Sequence, residues 1–169
     1  MAAANPDRHT ALAADPRDII IARTLNAPRE LVFKVWTDPQ HVVHWWGPNG
    51  FTNTISSMDV RPGGMWRFMM HGPDGTDYPN RIDYIEVVPP ERLTYKHGSD
   101  CAGEDDPHAF DVVVTFEEPL PGKTLVTLRS RFPTPEARDY VVREFGAIEG
   151  GNQTLGRLEQ YLIDHAIAA

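Results

Sequence analysis

The chain carries a single cysteine, Cys101, among 169 residues. No internal disulfide framework can brace it, and this cysteine usage fits a reducing, cytoplasmic setting. Long apolar runs are missing as well, since no stretch approaches the roughly 20 apolar residues that span a bilayer. Positive charge is scarce: 16 Lys and Arg stand against 24 Asp and Glu, for a net charge of -8. Nucleic acid and anionic membranes both require a basic footprint, so neither is expected as a partner. No Gly-x-Ser-x-Gly elbow, phosphate-cradling glycine loop or dinucleotide fingerprint is present, which removes common signatures of hydrolases and nucleotide enzymes. The Ala-rich start, with Pro6, Pro16 and the charged Asp7-Arg8-His9, lacks the unbroken apolar core of a secretory signal. Residues 1–17 are expected to form a disordered tail and residues 18–169 one domain, within the usual range of about 100–200 residues.

What is present is best introduced by Trp45-Trp46-Gly47-Pro48-Asn49-Gly50-Phe51. Adjacent residues on a helix point about 100° apart, so two surfaces are needed to cover both indoles. One is expected to seal a helix–sheet core and the other to border an opening beside Gly47-Pro48. Upstream, Ile19-Ile20-Ile21 reads as a buried strand. Pro28 and Glu30 suit a first helical turn, and Leu31, Val32, Val35 and Trp36 follow with helical spacing. Asp38-Pro39 starts a second, short helix.

Six strand candidates follow, punctuated by Arg61-Pro62-Gly63-Gly64, Gly72-Pro73-Asp74-Gly75, Pro89-Pro90, the acidic loop 98–107 and Pro119-Leu120-Pro121-Gly122. Such turn signals between alternating segments argue for an antiparallel meander. Trp66, Phe68 and Met70 share one face, as do Phe110, Val112, Val114 and Phe116, and likewise Val126, Leu128 and Phe132. Thr134, Pro135 and Glu136 open a long final helix, whose stripe runs through Val141, Phe145, Ile148, Leu155, Leu158 and Leu162. The expected class is α+β, in the order β-α-α-β-β-β-β-β-β-α, with the sheet packed on the last helix.

Five motifs carry a resemblance. They are Ala27-Pro28-Arg29-Glu30-Leu31-Val32-Phe33, Trp45-Trp46-Gly47-Pro48, Arg61-Pro62-Gly63-Gly64-Met65-Trp66-Arg67, Pro89-Pro90-Glu91-Arg92-Leu93 and Glu149-Gly150-Gly151-Asn152-Gln153-Thr154-Leu155. In this order they closely resemble the family related to the C-terminal domain of the activator of Hsp90 ATPase. That family lies within the START-like, birch-pollen-allergen-like superfamily, also called SRPBCC. The resemblance implies a helix-grip fold, with a curved antiparallel sheet around a long C-terminal helix and often a cavity between them. It also implies a small hydrophobic ligand as partner. Fold alone does not select among the superfamily's activities.

Candidate cavity-lining residues are Trp45, Trp46, Trp66, Phe68, Met70, Tyr84, Tyr95, Phe110, Val112, Glu144, Phe145, Ile148, Asn152 and Leu155. Asn152 falls on the apolar stripe between Ile148 and Leu155, with Glu144 one turn before Ile148. A buried amide or carboxylate costs roughly 1–3 kcal/mol if unpaired, so each needs a partner, which can be protein, water or ligand. The alternatives are a packing notch with Asn152 bonded to a sheet side chain, and both groups pointing into the cavity to orient a ligand's polar end. Gly150-Gly151 suggests a kink or a close approach to the sheet. His41 with His44, and His97 with Cys101 and His108, match no established metal spacing. No metal or other cofactor is expected, and no residue is singled out as catalytic. Two rival readings stand beside ligand binding. One is a cyclase or hydrolase using cavity acid/base groups, which requires a titratable group of perturbed pKa inside. The other is an interaction module for an Hsp90-type chaperone, which requires an exposed patch. A homodimer is compatible with the sequence, but no self-complementary surface is legible.

Overall fold

The computed structural model describes residues 15–100 and 106–165. The expected tail through residue 14 and the middle of the acidic loop, including Cys101, lie outside the described residues. The chain runs β1 (Asp18–Leu25), α1 (Arg29–Thr37), α2 (Pro39–Val42), β2 (Thr52–Met58), β3 (Met65–His71), β4 (Asp77–Val88), β5 (Arg92–Ser99), β6 (Phe110–Leu120) and β7 (Lys123–Arg131). Two helices close it, α3 (Pro135–Phe145) and α4 (Ala147–His165).

The seven strands form one curved, open antiparallel sheet in the order β1-β7-β6-β5-β4-β3-β2. Register shifts at Ile55/Ser57, Tyr84/Glu86 and Glu117/Leu120 interrupt the ladders. Such bulges bend strands and increase their twist. The alternation read from the sequence holds: Trp66, Phe68, Val112, Val114, Phe116 and Val126 are buried on the helix side. Asp18 accepts a two-pronged bond from Arg131 (2.7 and 2.9 Å) and so secures the end of the β1–β7 pair.

The final helix is not continuous. Gly146 sits in the left-handed region (φ 58, ψ 45) and caps α3, its N–H reaching the Val141 and Val142 carbonyls. Glycine takes that conformation without a Cβ penalty, which makes it a favoured helix stop. The break resets the helical phase, so the stripe expected to run from Val141 through Phe145 does not continue into α4. None of the residues of α3 is fully buried, whereas α4 buries Thr154, Leu155, Leu158 and Tyr161. The Gly150-Gly151 pair lies within α4, and Gly151 provides the close approach to the sheet. A Cβ on Gly151 would collide with the Ile21 side chain of β1.

Candidate functional site

Asp38 caps α2 by accepting from the Gln40 N–H at 2.9 Å, with Pro39 fitting the first turn. This places the tandem tryptophans against α1. Trp45 Nε1 donates to the Val35 carbonyl at 3.1 Å, and its ring lies 5.0 Å from Trp36. Trp46 turns the other way and meets Trp66 edge-on at 5.0 Å. Two surfaces do cover the pair, but both are core. Trp46 is 7% exposed, so it does not border an opening.

The chain beyond the tryptophans is held from α4. The Arg157 guanidinium donates to the carbonyls of Trp46 (3.2 Å), Gly47 (3.0 Å), Pro48 (3.0 Å) and His44 (3.4 Å). Gln153 Oε1 accepts from the Asn49 N–H at 3.1 Å. Burial lowers the Arg157 pKa from its ordinary value. The clamp aims Pro48 and Phe51 at the open end of the sheet.

There they line a cleft of about 730 Å³. Met70, Tyr78, Asn80, Phe110 and Phe132 form its sheet wall, and Val141, Glu144, Phe145, Glu149 and Gln153 its helix wall. A second hollow of about 550 Å³ shares Tyr78, Asn80 and Phe110 with it and adds His97, Asp106 and His108. Ligand sites commonly fall between 300 and 1,000 Å³ with mostly apolar walls and few polar groups.

Met70, Phe110, Glu144 and Phe145 are therefore the expected residues that the fold brings together. The others are placed elsewhere. Trp45, Trp46, Trp66, Phe68, Tyr84, Tyr95, Val112 and Leu155 belong to one continuous buried core, and Ile148 packs half-buried against it. Trp66 and Phe68 stack at 4.3 Å, which fills the space expected to be open. Burial alone raises the Tyr84 phenol pKa, and burial with the neighbouring Tyr84 raises that of Tyr95. The paired role of Asn152 and Glu144 is corrected. Asn152 is exposed, and its Nδ2 turns back to the Ile148 carbonyl at 3.0 Å. It faces an open polar groove beside Arg23 and Gln160. Glu144, half-exposed, accepts from Arg143 at 3.1 Å. The αL break removes both from a shared inward face.

His97 is a polar group of the second hollow that the sequence reading did not assign to the site. It had been weighed only as a metal ligand, whereas the β4–β5 register sets Ile82 opposite it and brings Asn80 alongside. His97 Nε2 and Asn80 Oδ1 lie 2.8 Å apart. Desolvation lowers the imidazole pKa to about 4, and the Asp106 carboxylate offsets this only partly. A depressed folded-state value means that the unfolded chain binds the proton first. His97 therefore supports stability above about pH 6.5 and withdraws that support as pH falls toward 4. Between those limits wild type is expected to lose up to about 3 kcal/mol more than His97→Phe. Urea denaturation of both proteins at half-unit pH steps checks this, and parallel curves would refute it.

The remaining histidines serve joints. His41 Nδ1 lies 2.6 Å from the Tyr161 hydroxyl, and His44 stacks on the same ring at 6.1 Å, tying α2 to α4. His71, on the outer face, bridges Thr54 (2.8 Å) and Asp77 (2.7 Å) and so links β2 to β4. Among the described residues, no cluster of three His, Cys, Asp or Glu could hold a metal, and no helix is long and apolar enough to cross a membrane.

A curved antiparallel sheet closed by C-terminal helices, with an apolar cleft at its open end, defines a helix-grip domain of the START-like kind. The model of the family described as activator of Hsp90 ATPase homolog 1-like protein matches residues 26–163, and the chain belongs to that family. Its fold is similar to that of protein Ms6760 from Mycobacterium smegmatis, at 27% identity and a TM-score of 0.76 over 88% of this chain and 91% of that one. A protein from Arthrobacter aurescens shows 25% identity and a TM-score of 0.79 over 88% and 87%. Protein NE0264 from Nitrosomonas europaea shows 25% and 0.76 over 89% and 97%. No curated protein matches the chain.

Proposed function

We propose that this chain binds a small hydrophobic molecule in the cleft between the open end of the sheet and the α3–α4 junction. The observation that carries the reading is the cleft itself, about 730 Å³ with Phe51, Met70, Phe110, Phe132, Val141 and Phe145 around it. The family's fold commonly serves that purpose. The single cysteine and the acidic balance support a cytoplasmic location, with neither nucleic acid nor a membrane as partner. Nile red, an uncharged apolar dye, is expected to brighten on binding wild type. Val141→Trp fills the cleft and should weaken binding at least tenfold, with the melting temperature within about 2 °C of wild type. No dye binding, together with no small molecule retained in native mass spectrometry of the purified protein, would discard the reading.

One observation favours the chaperone-module alternative: Tyr140 and Phe145 are 42% and 65% exposed on α3 and meet edge-on at 5.9 Å. Such a pair is small for a docking patch, which usually spans several hundred Å². The cleft therefore remains the stronger basis for function.

A further inference from the structure

The second hollow, which shares Tyr78, Asn80 and Phe110 with the cleft, has one wall that is not apolar, at His97, and its chemistry restricts what can enter. Along β5 the helix-side positions are Leu93, Tyr95 and His97; the first two are buried, and His97 is half-buried at the open end. Phe110 lies 5.0 Å from the imidazole, Phe68 6.1 Å and Trp46 6.5 Å, so three aromatic rings neighbour it. Asn80 fixes its proton. The Asn80 Nδ2 donates to the Tyr78 carbonyl at 2.9 Å, which turns Oδ1 toward the ring. An amide oxygen only accepts, so His97 Nε2 must donate across the 2.8 Å bond. The lone pair is then on Nδ1, which has no hydrogen-bond partner among the described residues.

Charge around the two hollows points the same way. Neither lining contains a lysine or arginine, while Asp106, Glu144 and Glu149 all contribute. The other imidazole, His108, sits on an exposed loop. A carboxylate entering this space would meet like charge and no fixed cation. An uncharged hydroxyl or N–H would meet a ready acceptor.

We propose that the cleft, together with the adjoining hollow at His97, selects uncharged apolar molecules bearing a hydrogen-bond donor, a hydroxyl or N–H given to His97 Nδ1, and rejects free carboxylic acids. This rests on the hydrophobic-ligand reading above and adds the head-group rule. With its pKa near 4, His97 is neutral at physiological pH and acts as an acceptor rather than as a counter-ion for an acid. A neutral hydrogen bond in such surroundings supports a preference of about fivefold to tenfold.

The test uses three probes with one ring system: naphthalene, 2-naphthol and 2-naphthoate, titrated into the full chain at pH 7. The expected order is 2-naphthol about fivefold or more tighter than naphthalene, and 2-naphthoate at least tenfold weaker than naphthalene. In His97→Phe the naphthol advantage should fall within twofold while naphthalene binding persists. If naphthalene binds but naphthol gains nothing, or naphthoate binds as well as naphthol, the head-group rule is overturned and the hydrophobic reading stands. The same holds if His97→Phe keeps the naphthol preference. If none of the three binds, both fall. The wild-type order decides the question even where the variant does not fold.

Discussion

Gly64→Ala is expected to destabilise the protein by about 3 kcal/mol or more, whereas its neighbour Gly63→Ala should cost only about 1 kcal/mol. The two glycines fail for different reasons. Gly63 has φ +81 with open space around it, so a methyl group meets only backbone strain. Gly64 has an ordinary φ, but a Cβ there would overlap the Asp59 carbonyl oxygen and lie 3.0 Å from that of Arg61. Those atoms cannot swing aside as a side chain would. The loop is also pinned on both sides: Gly64 N–H donates to Arg61 (2.8 Å), Gly63 N–H to Tyr84 (2.9 Å), and Tyr84 N–H to Gly64 (3.0 Å). Relief of the overlap would break the β3–β4 seam, and the strain of shifting bond angles rises steeply. Urea midpoints of the two variants at unchanged slope measure the difference, and equal or reversed losses would refute the close-approach account.

Arg157→Met should remove about 2–4 kcal/mol, and the melting temperature should fall by about 4–16 °C, at about 2–4 °C per kcal/mol for a chain of this size. Methionine keeps the apolar stem but deletes the fork that gathers the carbonyls of His44, Trp46, Gly47 and Pro48. Some of those oxygens would then face an apolar side chain without a donor. Lysine offers a point charge rather than a planar fork and should restore less than half of the loss. Because the clamp also sets Pro48 and Phe51 at the cleft, Nile red affinity should drop several-fold in the methionine variant. A change in stability below about 0.5 kcal/mol would show that Gln153 and the core alone hold this turn.

Much of this architecture was legible in advance because its signals are local. Alternation of Trp66 and Phe68, and of Val112, Val114 and Phe116, gave the inner face, and the Pro/Gly turns separated six strands that then paired in sequence order. The helix break was hidden, since Val141, Phe145 and Ile148 keep a helical period straight across Gly146. A single αL residue resets the phase without disturbing that spacing. The site was less legible for a related reason. Adjacency of Trp45 and Trp46 requires two covering surfaces but does not say that either is open. His97 and Asn80 are 17 positions apart, and only the β4–β5 register makes them partners. Phe51 lay within the most informative heptad, yet its position at the cleft depends on Arg157 reaching over from the far end of the chain.

The contrast between α3 and α4 has a consequence for how guests would come and go. α4 contributes four fully buried side chains, while α3 contributes only partly buried ones, Ala137, Val141 and Val142, and is separated from it by the left-handed break at Gly146. Regions with few buried apolar groups open at a free-energy cost well below that of the whole fold. Lifting α3 would uncover Val141, Glu144 and Phe145 and leave the tryptophan core untouched. On the ligand reading proposed above, a guest would leave through the opening of this one arm and not through unfolding of the whole domain.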